Sequence, residues 1–343
     1  MIETSYVMPI RRGTQAEDAE ELWAYLRLLS TRVREVIMVD GSPPKIFEAH
    51  AAALRGASVR HVPVDLELVT PMGKVGGVLT GLRLASHERV VIADDDVRYT
   101  SDALARVVTL LGRHHIVRPQ NYFDPLPWHA RYDTARTLLN RLFGGDWPGT
   151  LGIRRSALGA AGGYDGGVMF ENLELVRTVR AVGGTEAVPL DLFVARRPPS
   201  ARHFFSQRVR QAYDELARPL RFGLFLAMLP LATALVMRGC WTALGVAVGA
   251  SVALAEAGRR RGGGTAVFPA TASLLTPAWL AERAACTWLA LGARLFLGGI
   301  PYGDSVLRLA ATPSKELRRR HGAGVVAGRE VPMVARRACG DGA

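Results

Sequence analysis

Three consecutive carboxylates, Asp94, Asp95 and Asp96, follow the apolar run at residues 90–93. A short apolar run bounded by turn signals reads as a buried strand. Carboxylates at the end of such a strand offer hard oxygen donors. These suit Mg2+ or Mn2+, which commonly bridge protein oxygens to substrate phosphates. In an extended segment, residues two apart project to one side, so Asp94 and Asp96 are the expected metal pair and Asp95 points elsewhere. The competing use is a cap for the helix expected at 101–111, but Ser101 and Asp102 already offer that cap. A second apolar run, 35–39, closes on Asp40 and the turn GSPP. The aromatic-rich stretch NYFDPLPWHARYD, 121–133, holds Trp128 and His129. It is expected to shape an acceptor or membrane-entry side, with His129 a candidate for proton transfer.

The elements that must hold these groups alternate. Strands are expected at 5–10, 35–40, 58–65, 89–94 and 114–119. A helix is expected at 17–32, acidic at its start and basic at its end, as the helix dipole favours. A Gly-rich helix is expected at 73–86. Strands alternating with helices imply an α/β fold with a mostly parallel sheet. Ligands of such sheets sit beyond the carboxyl ends of the strands, where Asp40 and Asp94 stand.

From residue 222 the composition changes. Residues 222–237 and 240–255 carry no charge, and Arg238 and Gly239 separate them. Each run is slightly shorter than the ~20 residues of a membrane span, so the pair reads as a hairpin of two tilted or thin spans. A third segment, 284–300, contains Arg294, expected to face a bundle interior or snorkel. Basic residues from 196 to 221 precede the first run and others follow the third, which favours a cytoplasmic face for both. The loop GRRRGGG, 258–264, is then cytoplasmic too, and the third segment re-entrant or interfacial. Residues 200–223 read as one amphipathic interfacial helix. The expected division is a nucleotide-binding domain at 1–199, that helix at 200–221, membrane helices at 222–310 and a basic, disordered tail at 311–343.

The 343 residues carry a formal net charge of +12, which suits an anionic partner such as a nucleotide phosphate or a membrane face. Aromatics are sparse among the basic residues, so a nucleic-acid groove is not expected. Cys240, Cys286 and Cys339 are far apart and form no CxxC, which argues against a zinc site or a disulfide framework. The N-terminus lacks the pattern of a signal peptide, so the first part is expected to stay in the cytoplasm, with the chain in the cell (inner) membrane.

Over residues 5–215 the sequence resembles family 2 glycosyltransferases of the GT-A fold, of the membrane-anchored kind that includes ceramide glucosyltransferase-like and cellulose-synthase-like enzymes. The resemblance rests on motifs in order: VMPIRR, IMVDGSPP, GKVGGVLTGLRLA, IADDDVRY, GTLGIRRSALGAAGGYD, FENLEL and QRVRQ. It implies that Pro9 opens the nucleotide site, Asp40 contacts base or ribose, and Lys74 lies near the diphosphate. It also implies that Gln207 and Arg210 face the leaving group, and that Gly149, Thr150 and Asp165 lie on the acceptor side. The family's aspartate in FENLEL is here Asn172, whose amide cannot act as a base. Glu171 is the favoured substitute, with Glu174 and Asp165 behind it. Gln211 stands where the family has tryptophan. The expected activity is inverting transfer from a UDP- or GDP-sugar to a lipid or membrane-proximal glycan, with Mn2+ or Mg2+. Its rivals are a catalytically degenerate sugar-nucleotide-binding subunit and a membrane-associated nucleotidyltransferase.

Overall fold

The computed structural model describes residues 1–13, 19–303 and 305–322. They form two compact units. The first takes residues 1–119, 148–187 and the described chain from Thr312; the second takes 120–147 and 188–311. The chain thus passes repeatedly between units, whereas the division expected from the sequence runs in order through 1–199, 200–221, 222–310 and 311–343.

The first unit is built on a seven-stranded sheet. Its strands are β1 (Ile2–Ile10), β2 (Val33–Asp40), β3 (Arg60–Pro63), β4 (Arg89–Ala93), β5 (Ile116–Val117), β6 (Thr150–Arg154) and β7 (Glu186–Ala187). The order is β3-β2-β1-β4-β6-β5-β7. β1, β2, β3 and β4 run parallel, with Val7 opposite both Ile37 and Ile92. β6 is antiparallel to β4 and β5. The strand order reverses at β1, between β2 and β4. That reversal opens the crevice where open α/β sheets take ligands. The strand expected at 114–119 is reduced to β5, two residues, because Pro119 follows with no N–H to donate.

Seven helices complete this unit: α1 (Ala19–Ser30), α2 (Pro44–Ala53), α3 (Gly73–Leu84), α4 (Ser101–Leu110), α5 (Arg155–Gly159), α6 (Glu171–Ala181) and α7 (Ser314–Gly322). The glycines of α3 let it lie directly on the sheet. A Cβ at Gly77 would sit 2.9 Å from Pro9 Cβ, and one at Gly81 would sit 2.2 Å from Val7 Cγ1. The cap of α4 is Thr100, whose hydroxyl accepts from Ala103 N at 3.2 Å, rather than Ser101 or Asp102. Part of the expected disordered tail is helical: α7 packs on α6. The tail beyond residue 322 lies outside the described residues.

The second unit is mainly helical. Its long helices are Trp128–Leu142, Pro219–Met237, Trp241–Arg260 and Thr276–Phe296. Gly258 lets two of them touch, since a Cβ there would meet Leu138 O at 1.9 Å. Leu138, Ala255, Phe268 and Ala272 form one small core, and Ala135, Phe225 and Trp279 another. The single helix expected at 200–223 is instead Ala201–Ser206, Arg208–Tyr213 and a 3-10 turn, Asp214–Ala217. Arg218, at φ −131°, ψ 76°, lies outside the helical region, which a following proline disfavours, and Pro219 starts the next helix. Arg294 is exposed and donates to Gly298 O and Arg308 O, so it does not face the bundle interior. Arg283, 1% exposed, does.

Candidate active site

Three side chains from distant parts of the first unit meet at the rim of the sheet. Asp94 follows the last residue of β4. Lys74 lies in the first turn of α3 and Glu171 in the first turn of α6. The Lys74 Nζ donates to Asp94 Oδ1 at 2.6 Å and to Glu171 Oε1 at 2.5 Å. The side chains are 21%, 22% and 11% exposed respectively, so a ligand can reach all three. Burial works to lower the lysine pKa, but Asp94 and Glu171 outweigh it and hold the ammonium charged far above the usual range. Tyr164, buried beside this cluster, has its phenol pushed well up by burial and then by the negative charge of Glu171. The sequence reading passed over Tyr164, although it stands in the motif GGYD.

The three aspartates do not form an extended segment. Val97 N donates to Asp94 O at 3.1 Å, closing a turn over Asp95 and Asp96. The alternating projection expected of Asp94 and Asp96 therefore does not apply. Asp95 is held by Arg12, from Nη2 at 2.9 Å and Nε at 3.2 Å. Arg98 donates to Asp95 O at 2.7 Å and pairs with Glu21. Asp94 N donates to Gly149 O at 2.8 Å, which ties the turn to the start of β6. Asp94 and Asp96 both remain partly exposed on this pinned turn. Carboxylate oxygens there match the donor chemistry of a hard divalent ion. Among the described residues, no three His, Cys, Asp or Glu side chains form a ready metal cage.

Several expected site residues have other uses. Asp40 is 1% exposed. Its Oδ2 meets His50 Nδ1 at 2.7 Å and His61 Nε2 at 3.0 Å, and its Oδ1 accepts from Ser42 N at 2.9 Å. Burial opposes its ionisation, but the bonds from His61, Ser42 and His50 hold its carboxyl well below the usual range. Asp40 is thus a closed hub joining β2, α2 and β3, with no face turned to a base or ribose. Pro9 is buried against Gly77. Thr150, 1% exposed, donates to Ile92 O and meets Tyr99 Oη, so it is a sheet residue. Gly149 serves through the backbone bond to Asp94. Asp165 Oδ1 accepts from Gly167 N at 2.7 Å.

The carboxylates of the FENLEL segment separate by role. Glu174 is fully buried and accepts from Thr312 N at 2.6 Å, while Arg177 donates to Thr312 O at 3.0 Å. Burial pushes its carboxyl up, and the Thr312 bonds only partly offset this. Glu174 therefore latches the returning C-terminal segment and does not join the Lys74 cluster. Asn172 Nδ2 donates to Pro148 O at 3.1 Å. A carboxylate could not make that bond, which gives the asparagine a physical reason.

The remaining candidates lie in the second unit. Arg210 stacks over Tyr302, 5.4 Å from the ring centroid, and reaches Gln207 Oε1 at 3.4 Å. The buried arginine of that segment is Arg208, which binds Asp133, Glu282 and Gln211. Gln211 Oε1 thus accepts from Arg208 where the resemblance called for an aromatic ring. His129 is 6% exposed and bonded to Pro199 O at 2.8 Å. Trp128 is exposed and lies against Phe205.

No protein-family model and no curated protein sequence matches the chain. Among solved structures, it is similar to a mannosyltransferase from Pyrobaculum calidifontis in complex with GDP-Man and Mn2+. The TM-score is 0.51 at 20% identity, over 86% of this chain and 87% of that one. Glucosyl-3-phosphoglycerate synthase from Mycobacterium tuberculosis, in complex with Mn2+, UDP and glucosyl-3-phosphoglycerate, reaches 0.41 at 16% identity, over 61% and 77%, too low to support a shared fold. The likeness to the mannosyltransferase, together with the sheet order, shows that this chain has the GT-A fold.

Proposed function

We propose that the chain is an inverting, divalent-metal-dependent glycosyltransferase. It would move a sugar from a UDP- or GDP-sugar to a lipid or membrane-proximal glycan. The observation that carries this reading is the meeting of Lys74, Asp94 and Glu171 at the carboxyl rim of the sheet. The mannosyltransferase of the same fold was solved with a sugar nucleotide and Mn2+, which supports a donor and metal of that kind here. Asp94 and Asp96 would hold Mn2+ or Mg2+, and the ion supplies positive charge opposite the leaving diphosphate. Lys74 would bind a diphosphate oxygen. Glu171 would accept the proton of the acceptor hydroxyl as that oxygen attacks the anomeric carbon, a role that a positioned carboxylate fills.

Membrane attachment is supported by the segments Pro219–Met237 and Trp241–Ala266. Both are long and apolar enough to cross, and little of either is buried within the protein. Nineteen residues of helix extend about 28 Å, close to the ~30 Å of a bilayer core. The exposed pair Trp128 and Phe205 suits the interfacial level. The basic flanks of these helices support a cytoplasmic catalytic unit.

The test is release of nucleoside diphosphate by the full chain in lipid, screened with UDP- and GDP-sugars. General-base catalysis is worth about 10²–10⁴-fold. Glu171→Gln is therefore expected to lower kcat by at least about 100-fold while still binding donor. Pyrophosphate as the product would favour a nucleotidyltransferase. Donor binding with no turnover of any sugar would favour a binding subunit.

A further inference from the structure

Lys74 occupies an unusual position for a cation. It lies in the first turn of α3, where the helix dipole disfavours positive charge. Its ammonium meets two carboxylates at hydrogen-bond distance, and one of them, Asp94, is also an expected metal ligand. The backbone behind it has no room to withdraw, because Gly77 and Gly81 already set α3 against β1. A lysine stem, in contrast, turns freely about its four carbons. The mobile part of this arrangement is the ammonium alone.

We propose that Lys74 is a built-in counter-ion of the metal seat, displaced by the donor's diphosphate. This rests on the reading under Proposed function and adds an order to it. Without donor, the ammonium neutralises Asp94 and repels a divalent ion approaching the same carboxylate, since like charges at such separations oppose each other strongly in a partly shielded site. A diphosphate offers the ammonium a more highly charged partner. Lys74 moves to it, Asp94 is released to the ion, and Glu171 loses its ion pair and can face the acceptor hydroxyl. Metal and nucleoside diphosphate then bind with positive coupling, which thermodynamics makes reciprocal. The seat fills only when the donor is present.

Binding of Mn2+ to the full chain, followed by electron paramagnetic resonance, tests this without catalysis. Mn2+ is titrated alone and with UDP or GDP, with the metal–nucleotide complex in solution subtracted. For the wild-type chain, nucleoside diphosphate is expected to tighten Mn2+ binding at least tenfold. Lys74→Met is expected to bind Mn2+ alone at least tenfold more tightly than wild type and to lose most of the coupling. Lys74→Arg, which keeps the charge, should keep the weak binding of the metal alone. The wild-type coupling needs no variant, so a poorly folded Lys74→Met does not rescue the idea. Equal Mn2+ affinity with and without nucleotide in the wild type, or no gain in Lys74→Met, overturns the counter-ion role and leaves the donor site standing. No Mn2+ binding to the wild type even with UDP or GDP sinks the donor site and this proposal together.

Discussion

At the scale of single residues, chemistry divides among carboxylates that look equivalent in the sequence. Asp94 faces Lys74, Asp95 fixes a turn through Arg12, and Asp40 anchors two histidines in the interior. Glu171 opens to the crevice, whereas Glu174, three residues on, is sealed against Thr312. Asn172→Asp should not restore a base. It removes the donor to Pro148 O and adds charge beside Glu171, so melting should show a loss of about 1–3 kcal/mol, the cost of stranding a buried acceptor, and turnover should not rise. Glu174 yields a prediction in pH. Burial raises its folded pKa above the ordinary value of 4.5, so the folded chain holds this proton more tightly than the unfolded chain does. The stability it contributes is fully present below about pH 4.5 and fades as pH rises through the folded value. Glu174→Gln does not titrate. Its melting temperature relative to wild type should therefore climb between pH 4 and pH 7, and a difference that is flat with pH would contradict the assignment.

At the scale of elements, the strands were legible because buried parallel strands are continuous apolar runs, and β1, β2 and β4 appear close to where those runs stand. The antiparallel β6 was not, since residues 149–165 were read only for their likeness to an acceptor-side motif and pairing direction leaves no mark on periodicity. The Asp40 hub escaped for a related reason: His50 and His61 lie 10 and 21 residues away, on α2 and β3. Lys74 and Glu171 were legible one at a time through the resemblance, while their ion pair depends on how α3 and α6 pack. The single interfacial helix failed because the segment breaks at Gln207 and tightens to a 3-10 turn at Asp214–Ala217, and Pro219 then keeps Arg218 out of the helical region. The glycines of α3 are where an element controls the site. Gly81→Ala places a methyl against Val7 with no free volume. The expected cost is about 1–3 kcal/mol, as for other overpacked cores. Lifting α3 also carries Lys74 away from Asp94 and Glu171, so turnover should fall along with stability. An unchanged melting temperature and rate would show that the contact is not restrictive.

At the scale of the whole molecule, an α/β unit with a charged rim and a helical unit with two exposed apolar helices share one chain. Leu220, Leu231, Met237 and Val246 are exposed along these helices, and the proposed membrane attachment would cover them. The chain should stay in the membrane pellet after alkaline carbonate and leave it with detergent. Release by carbonate would restrict it to a peripheral attachment. In the proposed function donor, metal and base meet at one rim of the sheet, and calorimetry of sugar-nucleotide binding tests this most directly. With the UDP- or GDP-sugar that the wild type turns over, heat of binding should require Mn2+ or Mg2+. It should vanish in Asp94→Asn and persist in Glu171→Gln, which binds without turnover. Binding that ignores the metal and survives Asp94→Asn unchanged would contradict the account.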